Sequence, residues 1–231
     1  VVISRAQFFS QKVAPLQLFE KLCAAYPQLT VYLFSHPKVG TWCGATPETL
    51  LALEGETLKT MSLAGTMPLG HEADFSSKEY HEQQLVTNFI EDTLKENRSL
   101  DKVKVASVSV SKAGQVAHLQ SLIEAQVKPN FELSKLLEKL HPTPAVSGLP
   151  RQAALNFIAE NENYNRSFYS GYFGISQQQQ AHYWVNLRCM QIFEEGFALY
   201  AGGGITAQSA AQSEWEETQA KMDTLLRVVN P

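Results

Sequence analysis

Leu16, Phe19, Leu22, Cys23 and Tyr26 recur at the spacing of one helix face, which predicts a helix over about residues 15–26. Residues 29–35, rich in Val, Tyr and Phe, predict a strand, and the turn chemistry of His36 to Gly40 leads into a second strand near Thr41. Residues 49–53 and 57–61 flank Glu54-Gly55-Glu56 and read as a hairpin. Ser76 or Ser77 caps a helix reaching about Asn97, with Leu85, Val86, Phe89, Ile90 and Leu94 on its buried face. Residues 103–110 alternate apolar with small polar side chains, as a half-buried strand does, and residues 117–127 supply another. A short amphipathic helix at 133–140 is stopped by Pro142 and Pro144. Beyond Pro150 come a helix, strands near 171–176, 183–193 and 197–201, and a last helix over about 210–229. The glutamines at 177–180 read as a hairpin tip rather than a low-complexity tract.

Strand groups interrupted by helices, with many hairpins, predict an α+β architecture of layered antiparallel sheets rather than a doubly wound parallel sheet. No linker divides the chain, so residues 1–231 are expected to form one catalytic domain. Val1-Val2-Ile3-Ser4-Arg5 starts without Met and reads as the middle of a buried strand, so an N-terminal truncation is expected.

Composition narrows the function classes. The chain is 44% hydrophobic and 18% charged, as ordinary globular proteins are, and its net charge of −4 with no basic block argues against a nucleic-acid partner. Cys23, Cys43 and Cys189 are scattered and make no Cys-x-x-Cys spacing, which disfavours zinc and a disulfide framework and suits the cytoplasm. No apolar run approaches the roughly 20 residues of a membrane span.

The candidate chemistry begins with an acidic spacing that occurs twice. Glu79 and Glu82 stand near the start of one predicted helix, and Glu214 and Glu217 near the start of another. Residues three apart share a helix face, so each pair can aim carboxylates at one spot. Four converging carboxylates would need a cation among them, and all-oxygen ligation suits a hard ion such as Mg2+. A single Glu-x-x-Glu is commonplace on solvated helices, and Ser76-x-x-Glu79 also fits a capping box. Gly202, Gly203 and Gly204 would let backbone N–H groups approach an anion closely.

Further candidates lie elsewhere. Glu48 follows a proline turn, where it is either a loop acid or an active-site carboxyl. Leu63-Ala64-Gly65-Thr66 suits a tight turn or a pocket wall, and the rigid loop from His141 to Pro150 suits a connector or substrate positioning. Arg188, inside an apolar run, is either a buried ion-pair member or a fork for a carboxylate. Lys221 is either a helix partner of Glu217 or a counter-charge to a ligand.

Residues 44–48, 63–66, 79–86, 141–150, 186–188, 201–205 and 214–221 resemble, in order, the motifs of the chorismate-utilising enzymes. That family includes isochorismate, salicylate, anthranilate and aminodeoxychorismate synthases, and the match spans essentially the whole chain. The resemblance implies the family's α+β chorismate-binding fold. It makes Glu82 and Glu217 Mg2+ ligands, with Glu79 and Glu214 acting beside them directly or through water. It makes Glu48 the general acid for the departing C4 hydroxyl. Arg188 and Lys221 become carboxylate anchors, with Gly202 and Gly203 donating backbone N–H groups, and His141 is placed near the substrate ring. Ala64 stands where aminodeoxychorismate synthases carry a nucleophilic lysine, and Ser147 where anthranilate synthases typically carry Cys. With Gly65 and Thr66, Ala64 therefore points to isochorismate synthase, which acts on chorismate without an obligate glutaminase partner. Salicylate synthase, or a binding-competent fragment of low activity, are the alternatives. Two departures stand out. Gln83 replaces a histidine common in relatives, and the lysine that acts as base in the water-using members would fall immediately before Val1.

Overall fold

The computed structural model describes residues 1–178 and 180–230. In chain order the strands are β1 (Val2–Phe9), β2 (Thr30–His36), β3 (Gly40–Thr46), β4 (Thr49–Glu54), β5 (Thr57–Pro68), β6 (Leu100–Val105), β7 (Ser109–Ala113), β8 (Val116–Val127), β9 (Tyr172–Gln177), β10 (Gln180–Val185), β11 (Cys189–Ile192) and β12 (Phe197–Gly204). The helices are α1 (Pro15–Ala25), α2 (Ser77–Glu96), α3 (Leu133–Leu140), α4 (Arg151–Asn161) and α5 (Ala211–Val229). A five-stranded antiparallel sheet runs β1-β12-β11-β3-β2, and a seven-stranded one runs β6-β8-β5-β4-β10-β9 with β7 also on β8. The architecture is α+β.

Period-two alternation gives the smaller sheet two buried faces. Cys43, Ala45, Met190, Phe197, Leu199 and Ala201 pack with Leu18 and Leu22 of α1 and with Met222 and Leu225 of α5. Their neighbours Trp42, Cys189, Ala198 and Tyr200 form a separate cluster with Tyr169 on the opposite face. The larger sheet packs Leu50, Leu58 and Ile123 against Val86, Ile90 and Leu94 of α2 and Leu136 and Leu140 of α3. Leu85, expected on the buried face of α2, is instead exposed and faces the cleft described below. Its place against the sheet is taken by the polar side chains Glu79, Gln83 and Thr87.

Three expected strands differ from what forms. The run 183–193 is two strands, because β10 ends in the larger sheet and β11 begins in the smaller one, with Arg188 at φ 47° between them. The run 103–110 is broken into β6 and β7, which pair in succession along one edge of β8. β1 is half-buried rather than buried, and among the described residues it lies at a sheet edge, paired with β12 alone. Gln177 and Gln180 pair with each other, as a hairpin tip requires, while Gln179 lies outside the described residues. All three cysteines are free thiols. Among the described residues no helix is long and apolar enough to cross a membrane.

Candidate active site

The chain crosses between the sheets twice at one place. From β3 to β4 it passes through Pro47 and Glu48, and from β10 to β11 through Asn186, Leu187 and Arg188. The crossings are stitched together: Ala45 N donates to Arg188 O at 3.0 Å, Val185 N to Glu48 O at 3.0 Å, and Thr46 Oγ1 to Val185 O at 2.6 Å. Glu48 and Arg188 thereby reach a common cleft of about 340 Å³. Ala64, Gly65 and Thr66 of β5 form one wall, the loop from Pro144 to Leu149 another, and Gly202 to Gly204 with Glu217 and Lys221 a third.

Glu48 is almost fully buried, and burial pushes its carboxyl up to about 8. Its carboxyl has no hydrogen-bond partner among the described residues, so nothing but solvent or a ligand in the cleft offsets that burial. Arg188 is also buried, and burial lowers its guanidinium to about 10. It makes no ion pair among the described residues. Its contacts are neutral: Nη2 lies 2.8 Å from His118 Nε2, and Nη1 donates to Thr224 Oγ1 at 3.4 Å.

The glycine strand presents its backbone on alternating sides. Val1 and Ile205 exchange hydrogen bonds, Ile205 N to Val1 O at 2.7 Å and Val1 N to Ile205 O at 3.2 Å. In an antiparallel ladder, Gly203 therefore also faces β1, so its N–H, expected as an anion donor, is turned to the ladder, while Gly202 and Gly204 face away. On that side β11 has already ended, its pairing with β12 reaching only Leu199. The Gly202 carbonyl there accepts from Lys221 Nζ at 2.8 Å.

Three of the four predicted acids gather around this strand. A Cβ at Gly203 would stand 3.4 Å from Glu214 Oε2 and from Glu217 Oε1, and one at Gly204 would stand 3.4 Å from Glu82 Oε2. Two lysines supply countercharge. Lys78 Nζ lies 2.6 Å from Glu214 Oε1 and 3.8 Å from Glu82 Oε1, and Lys221 Nζ lies 2.5 Å from Glu217 Oε1. Burial, opposed by Lys78 and reinforced by Glu217 and Glu214, pushes Glu82 up to about 7. Among the described residues no three acidic, imidazole or thiol groups stand as a ready-made metal cage. Even so, Glu82 Oε1 and Glu214 Oε2 are buried with no hydrogen-bond partner among the described residues. Unsatisfied carboxylate oxygens around a side-chain-free strand are a donor set that fits a hard cation.

Glu79 is held at the start of α2 by one of its oxygens. Its Oε2 accepts from Ser76 N at 2.8 Å and Ser76 Oγ at 2.7 Å, closing the capping box at the start of α2. His141 is not among the residues that line the cleft. It ends α3, its N–H donating to Leu137 O, and its ring packs edge-on against Tyr172 with centroids 4.9 Å apart. Burial lowers its imidazole to about 4, with Arg151 contributing.

Sequence reasoning missed His118, Lys78 and Arg166. Lys78 was findable, because it stands four residues before Glu82 on one helix. Arg166, paired with Glu162, donates to Val146 O and Val2 O at 2.9 Å each and so ties the proline loop to β1. His118, a lone histidine within the apolar run of β8, carries no local signal.

The description "chorismate binding enzyme" belongs to the family profile that matches residues 1–230. The isochorismate synthase EntC of Escherichia coli is 34% identical over 91% of the chain and 56% of its own length. The vibriobactin-specific isochorismate synthase of Vibrio cholerae is 33% identical over 98% of the chain and 60% of its own length. Among solved structures, a putative 2,3-dihydroxybenzoate-specific isochorismate synthase, DhbC from Bacillus anthracis, superposes with a TM-score of 0.92 at 28% identity, covering 99% of the chain and 66% of that structure. The chain thus spans little more than half the length of these curated relatives.

Proposed function

The chain belongs to the chorismate-binding enzyme family, and we propose that it is the catalytic part of an isochorismate synthase, which adds water at C2 of chorismate and expels the C4 hydroxyl. Glu48 carries this reading. A hydroxyl leaves readily only with a proton, and a buried carboxyl with its pKa near 8 holds that proton at neutral pH. Arg188, buried without an acidic partner among the described residues, is suited to a substrate carboxylate, and Lys221, paired with Glu217, lines the same cleft. The Gly202 and Gly204 amides face the side left open by β11 and would add donors to that carboxylate.

Glu82, Glu214 and Glu217 would hold Mg2+, which when bound would supply positive charge to clamp the ring carboxylate. Ala64 puts no nucleophilic side chain on the cleft wall, which supports water as the nucleophile and turnover without a covalent adduct. Val1 and Val2 line the cleft, while the position that the resemblance gives to the base lies outside the described residues. The reaction consumes no amide nitrogen, so this reading calls for no glutaminase subunit, and the free thiols suit a cytoplasmic enzyme.

Incubating the whole protein with chorismate and Mg2+ and separating the products tests the proposal. Isochorismate is expected, with the protein's mass unchanged. Salicylate with pyruvate would transfer the reading to salicylate synthase, and unconverted chorismate would sink it.

A further inference from the structure

We propose that His118 is a positioning residue that holds the Arg188 guanidinium ready for an anionic ligand without cancelling its charge. This deepens the reading above and rests on it for the identity of the ligand.

The geometry is a three-part relay. Arg188 has only donors, so the 2.8 Å contact requires His118 Nε2 to accept. The ring proton then sits on Nδ1, which lies 3.2 Å from Gly65 O and 3.2 Å from Thr66 Oγ1. Gly65 is the bulge of β5, at φ 65°, where the register with β8 shifts between Ala64 and Thr66. The bulge turns the Gly65 carbonyl toward the imidazole, and Thr66 sits directly across the ladder from His118. One side chain therefore links the cleft wall to the arginine between the sheets. Thr224 of α5 holds the guanidinium from another direction.

The choice of acceptor is the chemical point. Buried arginines usually find a carboxylate, and a carboxylate here would satisfy Arg188 and leave an incoming anion little to gain. A neutral imidazole fixes the guanidinium's orientation and leaves its charge for the ligand. His118 is held neutral, its pKa well below the ordinary range, by burial and by the positive charges of Arg188 and Lys221.

His118→Gln, His118→Glu and His118→Leu test this on the whole protein, each alone and combined with Arg188→Gln. Gln keeps a neutral acceptor, Glu supplies a stronger but charged one, and Leu supplies none. The expected order is a KM for chorismate nearest wild type in Gln and raised ~10–100-fold in Glu and Leu, with kcat changed less. With Arg188→Gln present, the differences among the three should vanish. A Glu variant that binds as tightly as wild type, or a Gln variant as weak as Leu, overturns the proposal. Nitrogen NMR of the His118 ring provides an arm that needs no substrate. The Nδ1–H tautomer is expected at neutral pH, and an imidazolium or the opposite tautomer overturns the proposal even if a variant fails to fold. Failure of wild type to convert chorismate, with the ring tautomer as expected, would sink only the isochorismate synthase reading.

Discussion

Gln83 Oε1 accepts a hydrogen bond from the Ala64 amide at 2.9 Å, while its Nε2 donates to Ser62 Oγ at 2.7 Å and Ser62 O at 3.2 Å. One buried side chain thus fixes α2, which carries Glu82, to the strand that walls the cleft. An amide suits the position because it offers a donor and an acceptor together at every pH. Gln83→Leu should leave the Ala64 N–H without its partner and cost ~1–3 kcal/mol in urea unfolding. Gln83→Glu keeps the shape but cannot donate to the Ser62 carbonyl when ionised, so it should cost at least as much near neutral pH. A stability unchanged in both variants would show that the wall is held by its strand pairing alone.

Glu48→Gln should lower kcat by ~10²–10⁴-fold with little change in KM, because the amide keeps the volume but gives no proton. The pH dependence has a definite sign. Burial raises the folded pKa from the ordinary 4.5 to about 8, so the folded state binds the proton more tightly. The stability this contributes is complete below 4.5 and is lost as pH rises through about 8. Wild-type kcat should fall over the upper end of that range. Stability measured across it should decline in wild type and less steeply in Glu48→Gln. Parallel declines in the two proteins would place the titration on another group.

Much of this was legible in the sequence, and the failures share a cause. Helical periodicity marked α1, α2, α3 and α5 to within about a residue or two, and the Gly-rich and acidic segments that meet around Gly203 were visible as motifs. What was hidden depends on where the chain leaves one sheet for the other. Residues 183–193 are mostly apolar, broken only by Asn186, Arg188 and Gln191, and no periodicity reports that Val185 and Cys189 belong to different sheets. The role of Glu79 was readable both ways, and the structure shows the capping half of it, with Oε2 held by Ser76. His118 could not be read at all, because its partners Arg188 and Gly65 are 70 and 53 residues away along the chain.

Lys78 stands where a cation at the acidic cluster would compete with it. Its ammonium contacts Glu214 and lies near Glu82, in a pocket where the carboxylates are partly desolvated. Lys78→Met should therefore tighten Mg2+ binding in calorimetric titration. Glu82→Gln and Glu217→Gln should weaken it by at least the ~10–100-fold that loss of an outer-shell partner costs a metal site. Weaker binding in Lys78→Met would assign the lysine the opposite task, that of holding the acids in position.

Adjacent glycines of β12 should respond to the same methyl group in different ways. A Cβ at Gly202 would come 2.9 Å from the Ile3 carbonyl and 3.0 Å from both Ser4 Cβ and the Tyr169 hydroxyl. The first of these is backbone of the paired strand, so Gly202→Ala can be accommodated only by parting β1 from β12. At Gly203 the nearest atoms are the carboxylate oxygens of Glu214 and Glu217 at 3.4 Å, an ordinary contact distance. Gly203→Ala should leave the ladder intact and place an apolar methyl against the oxygens that would ligate a cation. The expected outcome is a lowered Tm for Gly202→Ala, and for Gly203→Ala a Tm near wild type with weakened Mg2+ binding. Equal Tm losses would mean that β12 has no slack at either position. An unchanged Mg2+ affinity in a folded Gly203→Ala would remove the acidic cluster beside Gly203 as the cation site.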